Sequence, residues 1–315
     1  MAAPGHAPQS MIPQGPPWPP QVWGIGGIPK KSVDLPILSV FLALFIIGAV
    51  VHMIIFQINR KRDHKFLFSL AIFVFCMARI ATCVLRIAAT SLPSNIKLGI
   101  AAQIFVAAGV LILFIVNLIF AHRILRALHP ALGWHRLVTV FLRTIYVLIV
   151  FTLAIVIAAT VQSFYTLRPR TRTIDRDLQL YASTFLTIIS FLPIPMVLIA
   201  LAVPHSKVPE KFGTGRFRTK VIILLTGTTL ICLGAAFRCG TAWKKPVPRS
   251  RPMPGYFSKA CLYIFNFVVE ILVVYLYAIM RVDLRFYVPD GAKGPESYER
   301  NQTEENGAVE PKNVV

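Results

Sequence analysis

The sequence has few acidic residues and little charge of either sign. Only 13 of its 315 residues are Asp or Glu, and charged residues make up 15% of the chain, against about 25% in soluble domains. Seven of the 13 acidic residues follow Met280, so the preceding 280 residues are almost free of carboxylates. This composition argues against a soluble globular domain.

The motifs of the common enzyme classes are also missing. The chain contains no Walker A loop, no Rossmann glycine pattern, no H-E-x-x-H, no aspartate-rich diphosphate motif and no G-x-S-x-G elbow. None of the five cysteines forms a C-x-x-C pair. We therefore predict no metal site and no cofactor. None of these motifs supports an enzymatic activity.

Long apolar runs dominate what is present. Hydrophobic residues make up 56% of the chain, and the mean hydropathy is +0.65. Seven runs exceed the roughly 17 residues that a helix needs to cross a bilayer, and they lack the alternation of a membrane β-barrel. The sequence predicts an all-α membrane protein, a bundle of seven transmembrane helices at residues 35–57, 66–91, 98–122, 138–163, 180–203, 219–239 and 257–280.

The two ends differ in composition from this membrane domain, which we place at residues 35–285. Residues 1–34 are rich in proline and glycine, and residues 286–315 are polar and acidic. Neither end has enough apolar residues to form a core, so both are predicted to be disordered tails. Asn301 begins a glycosylation pattern, Asn-Gln-Thr, in the second tail.

The formal net charge of +20 could indicate nucleic-acid binding, but the basic residues lie mostly in short loops between the spans. There they orient the chain and meet lipid headgroups. We therefore expect membrane lipid as a partner and no nucleic acid. The dense cluster at 59–65 (NRKRDHK) favours an outside or lumenal N-terminus and a cytoplasmic C-terminus, in the plasma membrane or an endomembrane.

The seventh span carries a polar stripe. At 100° per residue, Glu270 falls on the same side as Lys259, Tyr263 and Asn266. A carboxylate in the middle of a membrane helix must face other protein or a water-filled cavity. We therefore expect the other spans to provide partners for this stripe.

Two arginines in the second span are the strongest candidates. Arg79 lies at the centre of the span and Arg86 lies seven residues later, on the same side and about 10 Å along the axis. In antiparallel spans, Arg79 and Glu270 would reach similar depth, which predicts an ion pair. Arg86 would either extend to the interface or form an anion-binding subsite. The candidate binding residues are therefore Arg79, Arg86, Lys259, Tyr263, Asn266 and Glu270.

Three further patterns lead to smaller predictions. Pro193 and Pro195 should kink or break the fifth span. His52 and His122 are interpreted as hydrogen-bonded histidines rather than haem ligands. The cysteines are interpreted as small packing residues, and a disulfide between Cys239 and Cys261 is the alternative.

One resemblance can be stated from these residues. The run YFSKACLYIFNFVVEILVVYLYAIMRVDLRFYVPDG at 256–291, with FRCGTAW at 237–243, resembles a family of fungal seven-helix integral membrane proteins of unknown function. The resemblance covers residues 35–291. In span number and size the chain also resembles, more loosely, fungal lipid-translocating exporters. These resemblances imply a membrane location and a fungal source.

Three functional hypotheses follow. The first is a transporter or translocator of an amphiphilic or anionic small molecule or lipid, indicated by the interior arginines, Glu270 and the broken fifth span. The second is a seven-helix receptor or sensor, although Phe120-Ala121-His122-Arg123 lacks the usual receptor signature. The third is an accessory membrane protein or enzyme of a fungal biosynthetic pathway.

Overall fold

The structure is a computed structural model that describes residues 15–62, 66–204, 209–288, 294 and 297–298. Within these residues, seven helices are long and apolar enough to cross a membrane, which confirms the predicted seven-helix class. In lipid a helix satisfies its main-chain hydrogen bonds internally, as this environment requires. In chain order, α1 to α7 are Lys31–Lys61, Leu67–Ser91, Ile96–Leu128, Arg136–Tyr165, Pro169–Ala202, Phe217–Ala242 and Lys259–Ile279.

Most helix ends lie beyond the predicted spans, and the largest difference is in α5. This helix begins at Pro169, eleven residues before the predicted start at residue 180. Its first turns are polar, so a hydropathy criterion does not detect them. Pro169 suits the first helical turn, where its missing N–H has no partner to lose. The predicted boundaries therefore mark the apolar segments rather than the whole helices.

The helices form a ring in chain order that closes through contacts between α7 and α1. Within α3, Ile96–Gly109 belongs to the ring and contacts α2 and α4, whereas Leu111–Leu128 lies inside the ring and contacts α2, α5 and α6. In the most apolar 18-residue windows, 61% of α7 and 56% of α3 are buried, against 22% of α4. Side chains on α7 and α3 are therefore surrounded by protein, whereas most of α4 faces outward.

Three of the seven helices are irregular. Helix α5 consists of Pro169–Phe191 and Pro193–Ala202, which confirms the predicted break at Pro193. Helix α3 consists of Ile96–Gly109 and Leu111–Leu128, a break that was not predicted from the sequence. Helix α7 contains a π-helical turn at Ile264–Val268. Such interruptions in membrane helices are common beside binding sites.

Helices α6 and α7 approach each other closely at two glycines of α6. A Cβ atom built on Gly234 would lie 2.5 Å from the carbonyl oxygen of Phe265, and one on Gly227 would lie 2.5 Å from the hydroxyl of Tyr277. Small residues allow membrane helices to pack at such distances. This contact brings the C-terminal half of α6 next to the polar stripe of α7.

The segment of residues 15–30, which precedes α1, runs across one face of the bundle, called here the N-terminal face. The main-chain N–H groups of Trp18, Trp23 and Gly26 donate to carbonyls of Phe164, Val247 and Phe257. The expectation of a disordered tail therefore does not apply to these residues. Residues 1–14 lie outside the described residues.

At the opposite face, the chain after α7 forms a short helix, Val282–Arg285, and part of the predicted C-terminal tail also packs on the bundle. Phe286 is buried against Phe120, and Tyr298 packs against the rings of Trp134 and Phe212. Asn301 lies outside the described residues.

Candidate functional site

The centre of the bundle contains a buried ion pair between α2 and α7. Nε of Arg79 donates to Oε2 of Glu270 at 2.5 Å, and Nη2 donates to Oε1 at 2.6 Å. The two side chains are 0% and 1% exposed. This two-bond geometry is the strongest arrangement of a guanidinium and a carboxylate. The predicted Arg79–Glu270 ion pair is confirmed.

The break in α3 provides further acceptors for Arg79. Its Nη1 donates to the carbonyls of Phe105 and Val106 at 3.3 and 3.1 Å. These carbonyls lie close to the end of the first segment of α3, where main-chain carbonyls lose their intrahelical partners. The guanidinium also lies 5.4 Å from the centre of the Phe75 ring. Arg79 therefore links α2, α3 and α7 at one point.

Arg238 of α6 is a second cation at this point, and it is not among the predicted binding residues. Its Nη1 donates to Oδ1 of Asn266 at 3.2 Å and lies 3.8 Å from Oε1 of Glu270. Both Glu270 oxygens already accept hydrogen bonds from Arg79. We call these four residues (Arg79, Arg238, Asn266 and Glu270) the central cluster. An arginine inside the predicted span 219–239 was the signal that could have identified Arg238.

The π-turn of α7 positions the amide of this cluster. Asn266 lies within the turn, and its Nδ2 donates to the carbonyl of Leu262 at 3.0 Å. This bond leaves Oδ1 directed at Arg238. Because Glu270 lies four residues later on the same side of the helix, both side chains reach the contact between α6 and α7.

Lys259 and Tyr263 take part in a different group, at the N-terminal face. The Lys259 ammonium and the Tyr263 hydroxyl both donate to the carboxylate of Asp34 in α1, the latter at 2.6 Å. The main-chain N–H of Lys30 donates to the same carboxylate at 2.5 Å. Asp34 is the last residue of the predicted N-terminal tail, so it was not predicted as a partner.

Arg86 lies beside this Asp34 group, with which it interacts electrostatically through Asp34 and Tyr263. Its Nε is buried and has no hydrogen-bond partner among the described residues. The structure thus places Arg86 near Tyr263, which shares Asp34 with Lys259, and places Arg79 in one cluster with Asn266 and Glu270. The six predicted residues form two groups along the facing sides of α2 and α7.

A cavity of about 130 Å³ borders the central cluster. Its polar lining comes from Gln179, Ser183 and Thr187 of α5 and from Arg238. The remaining lining is apolar and includes Phe114 of α3 and Val156 of α4. Among the described residues that line the cavity, none is a carboxylate. Its chemistry therefore suits a ligand with an anionic end and an apolar body.

The two histidines that the sequence singled out lie within hydrogen-bond distance of main-chain carbonyls. Nε2 of His52 lies 3.1 Å from the carbonyl of Val274, and Nε2 of His122 lies 3.0 Å from that of Gly133, as predicted for hydrogen-bonded histidines. All five cysteines are free. Among the described residues, no three His, Cys, Asp or Glu side chains are grouped so that they could hold a metal ion.

At the opposite face, Asp283 is 4% exposed and joins the end of α1 to the chain after α7. It accepts hydrogen bonds from Nδ2 of Asn59 at 2.9 Å and from Arg281 at 2.9 and 3.0 Å. Burial alone would raise the pKa of the Asp283 carboxyl, but these hydrogen bonds outweigh burial and hold the pKa below its usual value. Asp283 is therefore a structural carboxylate.

Fold and site together define a polytopic, all-α membrane protein with a charged cluster inside its seven-helix bundle. Residues 213–287 match a protein family described as a protein of unknown function (DUF3112). The matched region spans α6, α7 and the short helix that follows. It includes Arg238, Asn266 and Glu270 but not Arg79. Comparison with curated proteins finds no match, and comparison with solved structures finds none either.

Proposed function

We propose that this protein binds an amphiphilic or anionic small molecule or lipid and moves it across its membrane. The observation that carries the proposal is the charge of the central cluster, in which two guanidiniums share one carboxylate. A charge inside a membrane protein is costly unless it is neutralised. A cluster built only for stability would be balanced, whereas an excess cation suits a passing anion.

The group at the N-terminal face supports the same proposal. Asp34 is paired with Lys259 and also interacts electrostatically with Arg86. Two groups with excess positive charge thus follow one another along α2 and α7. Arg79 and Arg86 are seven residues apart, about 10 Å along a helix. An anion could therefore pass from one group to the other by a short step.

The irregular helices provide a second line of support. The breaks in α3 and α5 and the π-turn of α7 all occur in helices that contribute to the cavity or the central cluster. Interrupted helices near the middle of the membrane are typical of transporter binding sites, since the ends of the helix segments and the unpaired main-chain groups there can hold a ligand.

The proposal is tested with purified protein in phosphatidylcholine vesicles. The probe is a fluorescent alkyl sulfonate, which stays anionic and so crosses pure lipid slowly. We expect wild-type protein to accelerate its release, and Glu270→Gln and Arg86→Ala to slow that release, at matched amounts of folded protein. The exposed Arg170, at the start of α5, provides the control variant Arg170→Gln. If no sample moves the sulfonate, a receptor or a pathway role becomes the better hypothesis.

We also propose that the N-terminal face is outside or lumenal, as the basic loops favour. Asn301 would then lie in the cytoplasm and stay unglycosylated. A glycosidase-sensitive mass shift that disappears in Asn301→Gln would reverse this orientation.

A further inference from the structure

We propose that the cavity beside Arg238 is the binding site for a monoanionic amphiphile, whose charged head is held by Arg238 and Gln179. The proposal rests on the proposed function for its ligand class and adds the site, the charge and the shape of the ligand. It depends on three properties of the cavity: its unused donors, its net charge and its size.

The first property is the set of free donors. Within the described part of the chain, the Arg238 guanidinium makes one hydrogen bond, to Asn266, and its side chain is 20% exposed. A guanidinium carries five N–H donors, so most of those on Arg238 are available to the cavity. Gln179 adds an amide with no hydrogen bond to the other described residues.

The hydroxyl groups that line the cavity already donate hydrogen bonds to main-chain carbonyls. Ser183 donates to the carbonyl of Leu180 at 3.0 Å, and Thr187 donates to the carbonyls of Ser183 and Ala235 at 2.8 and 3.1 Å. The donors that remain for a ligand therefore come from Arg238 and Gln179. Such a set binds an oxyanion and offers no carboxylate to a cation.

The second property is the charge. Arg79 and Glu270 neutralise each other through two hydrogen bonds, which leaves the single positive charge of Arg238 next to the cavity. A ligand with one negative charge balances this charge. A dianion would carry an unpaired charge into a poorly solvated site, and a neutral or cationic ligand would leave Arg238 uncompensated. The charge count thus favours a monoanion.

The third property is the size. A volume of about 130 Å³ is close to that of an engineered cavity that binds benzene, about 150 Å³. It accommodates a head group and a few carbon atoms. A longer alkyl chain must extend out of the cavity. Val156 lines the cavity on the side of α4, which is the least buried of the seven helices. We place the chain along α4, in contact with lipid.

The test measures binding of radiolabelled decanesulfonate, below its micellar concentration, to the full-length protein in phosphatidylcholine nanodiscs. We expect saturable binding that decanol and decyltrimethylammonium do not compete for. Decyl phosphate, a dianion at pH 9, should compete at least about tenfold more weakly than decanesulfonate. Equal competition by the neutral or the cationic compound would overturn the proposal.

Two variants place the site. Arg238→Gln removes the charge and should weaken binding by about tenfold or more, since hydrogen bonds to charged groups are the strong ones. Val156→Phe fills the cavity without changing any charge and should weaken binding as well, which keeps the test decisive if Arg238→Gln does not fold. Arg170→Gln is the control and should bind as wild type does. Wild-type affinity in both cavity variants would refute the site.

A monoanionic head could belong to a free amphiphile or to a membrane lipid. Nanodiscs that contain phosphatidylglycerol separate these two sources. If this lipid occupies the cavity, it should weaken decanesulfonate binding to the wild-type protein. It should have no additional effect on Val156→Phe, in which the cavity is already filled. The outcome is also separable from the proposed function. Binding without vesicle transport supports the site and refutes translocation, whereas transport that is unchanged in Arg238→Gln supports translocation and refutes the site.

Discussion

The charge excess of the central cluster predicts that its two ion-pair partners differ in importance for stability. Glu270→Gln keeps the size of the side chain but leaves Arg79 and Arg238 facing each other without a carboxylate. Arg79→Met also keeps the size, yet it leaves Glu270 with Arg238, which lies 3.8 Å away. The first variant therefore leaves two uncompensated buried charges, and the second leaves none.

The expected magnitudes follow from this count. Removing one partner of a buried ion pair costs about 3–5 kcal/mol, and we expect Glu270→Gln to fall in this range. Arg79→Met loses hydrogen bonds to Glu270, Phe105 and Val106 but strands no charge, for which we expect about 1–3 kcal/mol. In chains somewhat shorter than this one, each kcal/mol of lost stability lowers the Tm by about 2–4 °C. On this scale, Glu270→Gln should lower the Tm by roughly 6–20 °C.

The assay is thermal unfolding of purified protein in one detergent, and unfolding is monitored as the loss of monodisperse protein. Arg143→Met is the control, because Arg143 is exposed on α4. We expect the Tm decrease for Glu270→Gln to be about twice that for Arg79→Met, from the middle of the two ranges. The exchange Arg79→Glu with Glu270→Arg should recover part of the loss. Equal decreases in the two single variants would refute the reasoning, as they would show that Arg238 does not compensate Glu270.

Two further predictions concern stability away from the central cluster. Because the folded pKa of Asp283 lies below its unfolded value of about 3.9, its stabilisation is complete at neutral pH and is lost as pH falls through the folded pKa. The Tm difference between wild type and Asp283→Asn should therefore stay constant above about pH 5 and shrink below about pH 4; a difference that persists at pH 3 would contradict this. Gly234→Ala should lower stability by about 1–3 kcal/mol, because its Cβ meets the carbonyl of Phe265. Gly240→Ala, with no atom within 4 Å, is the matched control and should be neutral or stabilising, so equal effects in thermal unfolding would refute the close α6–α7 contact.

Part of the site was predictable from the sequence, because charged residues are rare inside apolar membrane spans. Glu270 and Arg79 lie in the middle of apolar runs, where a charge has few alternatives to another charge of opposite sign. Their pairing follows from depth alone. Asp34 and Arg238 lie near the ends of runs, where lipid headgroups and water are equally good partners, so their position in the sequence does not define their contacts.

The sequence alone determined the class of this protein, the number of its spans and the break at Pro193, since these depend on hydropathy, length and a missing N–H along one segment. The tertiary structure decided the partners. In the folded protein, Lys259 and Tyr263 donate to Asp34, and the close contact of α6 with α7 places Arg238 near Glu270. Helix α3 is interrupted beside Arg79, and a cavity lies next to Arg238. Each of these depends on how separate helices are rotated and packed, which the pattern within any single helix does not encode.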